Sequence, residues 1–474
     1  MNAILARESA PPPAQRKADL QRSLALCVQD GLFAMPIVTM GLPVNVFLTA
    51  LITKAWVLPK TSIGLLTAMP FLANFLQIFF APFLSRWRPP KTVTVLTAGL
   101  NMLCWAALAV LLSFIPRDRP DLAAVWLITW FFISSAFGAF AAVSWNAWVQ
   151  EWIPARLRGK YFGRRNRLLQ ISTLTFLLVT GWVLARWDYA IGAFQTIIAG
   201  TVFLRIFSLY WQWTSPTRAH RPDTAAVLAL PAQIAVLRQS TSLLWFIAFG
   251  AVWSFAANCF GPFYQVFLFE QLHLSAWDVG LLSTVSALGG ALALPAWGRL
   301  LDRFGNRPVM AVSLFVWQGV NLLWCLLTPH SSTMVYIIWA LGGMTSMGAI
   351  ASSGFVLGQF TILLRLIPIE AKSLAIGLNL AVTSLAAAIA PVLGGAVLNS
   401  ALGRWTDPLA VYHICFLVQP AIAVAGCVLL FKVHEPSASS LTMVFGAMRN
   451  IRTLSGVLGL DFLVNYVFYR SNKR

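Results

Sequence analysis

The 474-residue chain is predicted to be an all-α integral membrane protein, with twelve transmembrane helices in two pseudo-symmetric six-helix bundles. Three observations lead there. Apolar residues make up 58% of the sequence and charged residues only 10%, too few polar groups to cover a water-soluble globule of this size. Apolar stretches of about 20 residues, the length that crosses a hydrocarbon core about 30 Å thick, recur between short polar breaks. Finally, a segment of the first half returns 214 residues later in the second.

Residues 1–22 form a polar N-terminal segment with Pro11, Pro12 and Pro13, too polar for the apolar region of a signal peptide, so the first span is expected to serve as its own signal. Spans 1 to 6 are placed at 23–52, 62–84, 92–115, 123–149, 167–187 and 189–213, and make a first half over 23–213. Residues 214–240, with Pro216, Pro222 and Pro231, read as the linker. Spans 7 to 12 follow at 241–269, 277–299, 308–328, 332–364, 373–398 and 409–432, giving a second half over 241–432. In the tail, 433–474, the stretch from Leu441 to Tyr469 is apolar but interrupted by Arg449, Arg452, Asp461 and Asn465. It predicts an interfacial amphipathic helix rather than a thirteenth span.

With the N-terminus inside, the inner segments hold 27 of the 34 basic residues, and the outer loops only Lys54, Lys60, Arg117, Arg119, Arg186 and Arg404. Basic residues in short loops stay cytoplasmic, so both termini are expected in the cytoplasm, with a bacterial inner membrane as the setting. The net charge of +19 is then a matter of topology beside an anionic leaflet, and no nucleic-acid partner is expected. The six cysteines lie far apart within apolar spans, without a disulfide or metal pattern. No cofactor is expected, and the working unit is expected to be a monomer.

The repeat is clearest after spans 4 and 10, where IPARLRGKYFG (Ile153 to Gly163) lies over IPIEAKSLAIG (Ile367 to Gly377), matching Pro154 with Pro368, Arg158 with Lys372 and Gly163 with Gly377. After spans 2 and 8, APFLSRW (Ala81 to Trp87) lies over GRLLDRF (Gly298 to Phe304). Such parallel repeats are a transporter trait. GRLLDRFGNRPVM, Gly298 to Met310, resembles the loop signature of the major facilitator superfamily, and RGKYFGRRN, Arg158 to Asn166, resembles a branch of largely uncharacterised bacterial members. The resemblance implies a secondary transporter that alternates access to a central site lined mainly by spans 1, 4, 7 and 10.

Intramembrane charges are expensive and therefore functional candidates. Asp30 lies eight residues beyond Arg22, and Arg205 eight before Trp213, so both sit about 12 Å inside the basic end of their spans. The family arrangement makes spans 1 and 6 neighbours, which suggests that the two residues pair. Two alternatives stand beside that: Asp30 as a proton carrier, and Asp30 meeting only water, a helix end or a loop arginine. By the same resemblance, Asp302 faces the start of span 5 and latches a cytoplasmic gate that also contains Gly298, Arg303, Gly305, Arg307 and Arg158. Ser85 replaces the aspartate in the first-half copy, so the latch there is expected to be weaker. The basic run from Arg156 to Arg167 is expected either to anchor the topology or to meet lipid headgroups.

Substrate contact is expected from polar and aromatic groups on the four cavity spans: Thr39 and Asn45 around the Pro36 and Pro43 interruption; Trp145, Asn146 and Trp148; Asn258, Tyr264 and Gln265 around Pro262; and Ser353 and Gln359. Each has a plain packing or interhelical hydrogen-bonding alternative. The leading functional reading is transport of a small solute, with or without a proton or another ion. A transporter-like assembly or sensing factor without flux is the second reading. A membrane-embedded enzyme is the third and is disfavoured, because the five histidines fall in loops or near span ends with no HExxH segment; separately, no GxxxxGK[ST] segment supports ATP use.

Overall fold

A computed structural model describes residues 13–87, 89–116, 118–153, 155–215, 230–329, 341–435 and 439–449. Among these, twelve helices are long and apolar enough to cross a membrane. Span 10 was expected from residue 332, but its helix is described only over Gly342–Leu366, and 330–340 lie outside the described residues.

Spans 1 and 7 are broken, both toward the end of the bundle away from the basic loops. The helix Pro13–Met40 of span 1 stops before Pro43, and Asn45 starts the next helix, Val46–Ala50, by accepting the Leu48 N–H at 2.9 Å. The Asn45 amide also donates to the carbonyls of Met40 and Leu42 at 3.1 and 2.8 Å. Span 7 runs as Thr241–Cys259 and restarts as Gly261–Glu270, with Pro262 in the first turn, where a missing N–H costs nothing.

The halves meet unevenly. At the end away from the basic loops they share one apolar core that joins Phe47, Ile63 and Leu66 of the first half to Phe263, Phe267, Ala276 and Leu398 of the second. At the basic end the buried clusters belong to one half each, such as Cys27 with Trp148, Val149 and Ile153, or Phe246 with Met310, Phe355 and Leu430. The shared end is drawn together by glycines, because a Cβ on Gly64 would strike the Pro391 carbonyl and one on Gly395 would lie 2.5 Å from the Lys60 carbonyl, each in the other half; within the second half, one on Gly394 would strike the Cys259 carbonyl.

Two segments outside the spans hold structure. The linker carries a helix, Leu230–Gln239, whose Leu237 packs with Leu243, Ala371 and Ala375. In the tail, Leu441–Arg449 is helical, and its Val444 is buried in a cluster with Trp297, Leu300 and Val309. That turn of the predicted interfacial helix docks on the protein; the rest of it, 450–469, lies outside the described residues.

Candidate functional site

A cavity of about 370 Å³ lies within the first half, with lining residues from all six of its spans. Asp30, only 3% exposed, forms its polar floor. Leaving a carboxylate there without donors would cost several kcal/mol, and three donors offset this. Ser208 Oγ and Gln212 Nε2 donate to Asp30 Oδ1 at 2.7 and 2.9 Å, and Trp145 Nε1 donates to Oδ2 at 3.2 Å.

The pairing of Asp30 with Arg205 takes a bridged form. Arg205 Nη1 donates to Ser208 Oγ at 2.8 Å, and that hydroxyl passes a hydrogen bond on to the carboxylate. Ser208 is one helical turn beyond Arg205 and Gln212 is one turn further, so the three share a face of span 6. Two polar atoms of this network have no partner among the described residues, Arg205 Nε and Gln212 Oε1.

Arg165 is the cavity-lining charge that sequence reasoning missed. Expected at the lipid or loop surface, it is buried and lines the cavity. Its Nε donates to the Cys27 carbonyl at 3.2 Å, and its guanidinium lies 4.5 Å from the centroid of the Trp145 ring, within the reach of a cation–π contact. Tyr161 and Ser172 flank it on span 5 and donate to the Leu24 and Leu32 carbonyls of span 1 at 2.9 and 2.7 Å. The RGKYFGRRN segment thus docks span 5 along span 1.

A second cavity, of about 490 Å³, lies largely within the second half and is lined by neutral side chains, among them Tyr264, Asn321, Thr345, Ser352 and Gln419. Tyr264 stacks on Phe416 with centroids 4.1 Å apart, and its hydroxyl has no partner.

Of the expected substrate contacts, Trp145 and Tyr264 line a cavity, one in each half. Asn45 has a different task, since both ends of its amide are used by the backbone break. Trp148 packs in a buried cluster. The Asn146, Asn258 and Ser353 side chains donate back to the carbonyls of Ala142, Ser254 and Ile350 on their own helices. Thr39 is buried with an unpartnered hydroxyl, and it and Gln359 are outside both cavity linings.

Gln265 joins the halves instead, by accepting the Thr49 hydroxyl at 2.9 Å. Beside it Lys60 Nζ pairs with Glu270 at 2.5 Å, Tyr412 donates to the same carboxylate at 3.1 Å, and Lys54 Nζ donates to the Phe269 carbonyl at 3.1 Å. The Ala276 N–H, at the start of span 8, donates to the Tyr189 hydroxyl at 3.0 Å. Burial pushes that phenol's pKa up, so it stays neutral at physiological pH. These cross-half contacts cluster at the end of the bundle away from the basic loops.

At the basic end, Asp302 and Arg303 are exposed, and Gly305 ends span 8 with φ of 90°, a conformation natural to glycine. Glu435 is a carboxylate seated on a helix start at this end. It accepts the N–H groups of Asn306 and Arg307 at 3.1 and 2.8 Å and the Asn306 side chain at 2.8 Å, where the dipole of span 9 favours an anion. Arg365 pairs with it at 3.2 Å, and Arg307 Nη1 donates to the nearby Val433 carbonyl. Gly298 has open space around it. The Arg158 side chain lies outside the described residues.

The family model for the Major Facilitator Superfamily matches residues 244–469. The second half of the chain is thus similar to members of that superfamily. Members similar in sequence include the MFS-type efflux transporter phmH of Phaeosphaeria nodorum, 27% identical over 204 residues that cover 42% of this chain and 33% of that protein. The MFS-type transporter pigP of Monascus ruber is 29% identical over 211 residues, 43% of this chain and 34% of its own. The match thus spans about a third of the length of these curated relatives. Transporters of known structure share the fold: a mutant form of the nucleoside transporter NupG has a TM-score of 0.65 at 14% identity, covering 86% of this chain and 100% of its own. The D-xylose-proton symporter gives 0.63 at 12% identity, over 90% and 99%.

Proposed function

We propose that this protein is a secondary transporter that moves a small amphipathic solute by alternating access. The observation that carries the proposal is the uneven meeting of the halves: a shared core, glycine contacts and cross-half hydrogen bonds gather at one end, beside a ligand-sized cavity that holds buried charge. With the basic loops cytoplasmic, this is the inward-facing state. Opening the far end then requires parting Thr49 from Gln265 and Lys60 from Glu270, while Asp302 would meet the start of span 5 to close the basic end. Both termini are cytoplasmic in this reading, the working unit is a monomer, and the membrane is a bacterial inner membrane, although the sequence relatives above are fungal.

The test uses proteoliposomes and a disulfide between Thr49→Cys and Gln265→Cys, made in a background without the native cysteines. Solute flux is expected, with arrest on oxidation and recovery on reduction. Flux that persists through the cross-link, or no flux from any solute in a broad metabolite panel, overturns the proposal.

A further inference from the structure

We propose that the first-half cavity is a binding site for a small organic monoanion, a carboxylate on an apolar body, held by Arg205 and Arg165. The proposal rests on the transport reading for its purpose but concerns binding alone. Among the described residues three charged side chains line the cavity, Asp30, Arg165 and Arg205, and together these leave one positive charge in excess beside apolar walls. Buried charges are ordinarily paired, and Asp30 supplies only one partner for two guanidinium groups. The aspartate is also largely engaged, since it already accepts from Ser208, Gln212 and Trp145.

The guanidinium groups, by contrast, have donors to spare. A guanidinium carries five N–H groups in a fork that matches a carboxylate. Arg205, only 6% exposed, directs Nη1 to Ser208 and leaves Nε without a partner. Arg165 directs Nε to Cys27 and holds its guanidinium over the Trp145 ring. A bound carboxylate would complete the charge balance and take up those donors.

The remaining walls set the rest of the ligand. Met35, Ile37, Trp105, Ala139 and Leu169 give an apolar lining, and the cavity of about 370 Å³ lies at the low end of the roughly 300–1,000 Å³ typical of small-molecule sites. A body of one aromatic ring or a short alkyl chain fits that description. A dianion would reverse the imbalance, and an amine would double it.

The experiment measures thermal stabilisation and calorimetric binding of the purified full chain with three matched series: benzoate, 4-phenylbutyrate and indole-3-acetate, their primary amides, and the corresponding amines. At least one acid is expected to bind roughly tenfold more tightly than its amide, the scale of a charge-assisted hydrogen bond. Arg205→Gln should abolish that preference, and Arg205→Lys should restore part of it. If Arg205→Gln does not fold, Arg165→Gln provides the same reading from the other guanidinium. The proposal is wrong if no acid binds better than its amide, if an amine binds best, or if the acid preference survives in the glutamine variants. Selective binding without flux would instead leave the site standing and remove the transport reading.

Discussion

The first-half cavity is lined by Asp30, Arg165 and Arg205, whereas the second-half cavity presents Tyr264, Asn321, Ser352 and Gln419 and, among the described residues, no charged side chain. The two halves have the same number of spans and the same break in their first span, so the difference lies in side chains, not architecture. On the binding proposal above, recognition falls to the first half, where the buried charge lies. The second half is left with the structural work at the basic end, where Glu435 ties the start of span 9 to Arg365.

That division can be broken by substitution. The largest expected effect is from Asp30→Ala, which leaves two buried guanidinium groups unbalanced and should cost about 3–5 kcal/mol of stability. Gln419→Ala in the neutral cavity should cost about 1 kcal/mol. Thermal midpoints of the two purified variants check this, and equal losses would end the distinction between the halves.

Next in size is Gly394→Val, whose side chain meets the Cys259 carbonyl and should destabilise the packed end by about 1–3 kcal/mol. Maleimide labelling of Cys259 should then speed up. The control Gly298→Val, in open space, should leave labelling unchanged. The smallest effect is expected from Glu435→Gln, which removes a charge from the start of span 9 but keeps acceptor capacity. A loss of about 1 kcal/mol is expected, read as a lower thermal midpoint, with the acid preference of the first-half cavity unchanged.

Much of this was legible in the sequence. Hydropathy located the spans, Pro43 and Pro262 marked the two breaks, and depth along the helix picked out Asp30 and Arg205 because membrane charges are rare. Arg165 escaped because it belongs to a run of basic residues, where the positive-inside rule explains each member equally well. A helical signal was present, since Tyr161, Arg165, Leu169 and Ser172 follow a 4-4-3 spacing and so share one face, the face that docks on span 1. Glu435 had no such signal: its partners Asn306 and Arg307 are distant in sequence, and only the folded chain brings them together. Asn45 was misread because a polar residue in a membrane span suggests a ligand, although its place after a proline and before an apolar run also fits a helix cap.

The close contacts at Gly64, Gly394 and Gly395 press bare main chain against main chain. Such a seam reads nothing of the cargo, and its fit depends on side chains being absent rather than on which are present. Mutations can therefore redraw the walls of the first-half cavity, and with them the range of solutes accepted, without disturbing the seam. In a lineage of this kind, new specificities can evolve on an unchanged mechanical frame.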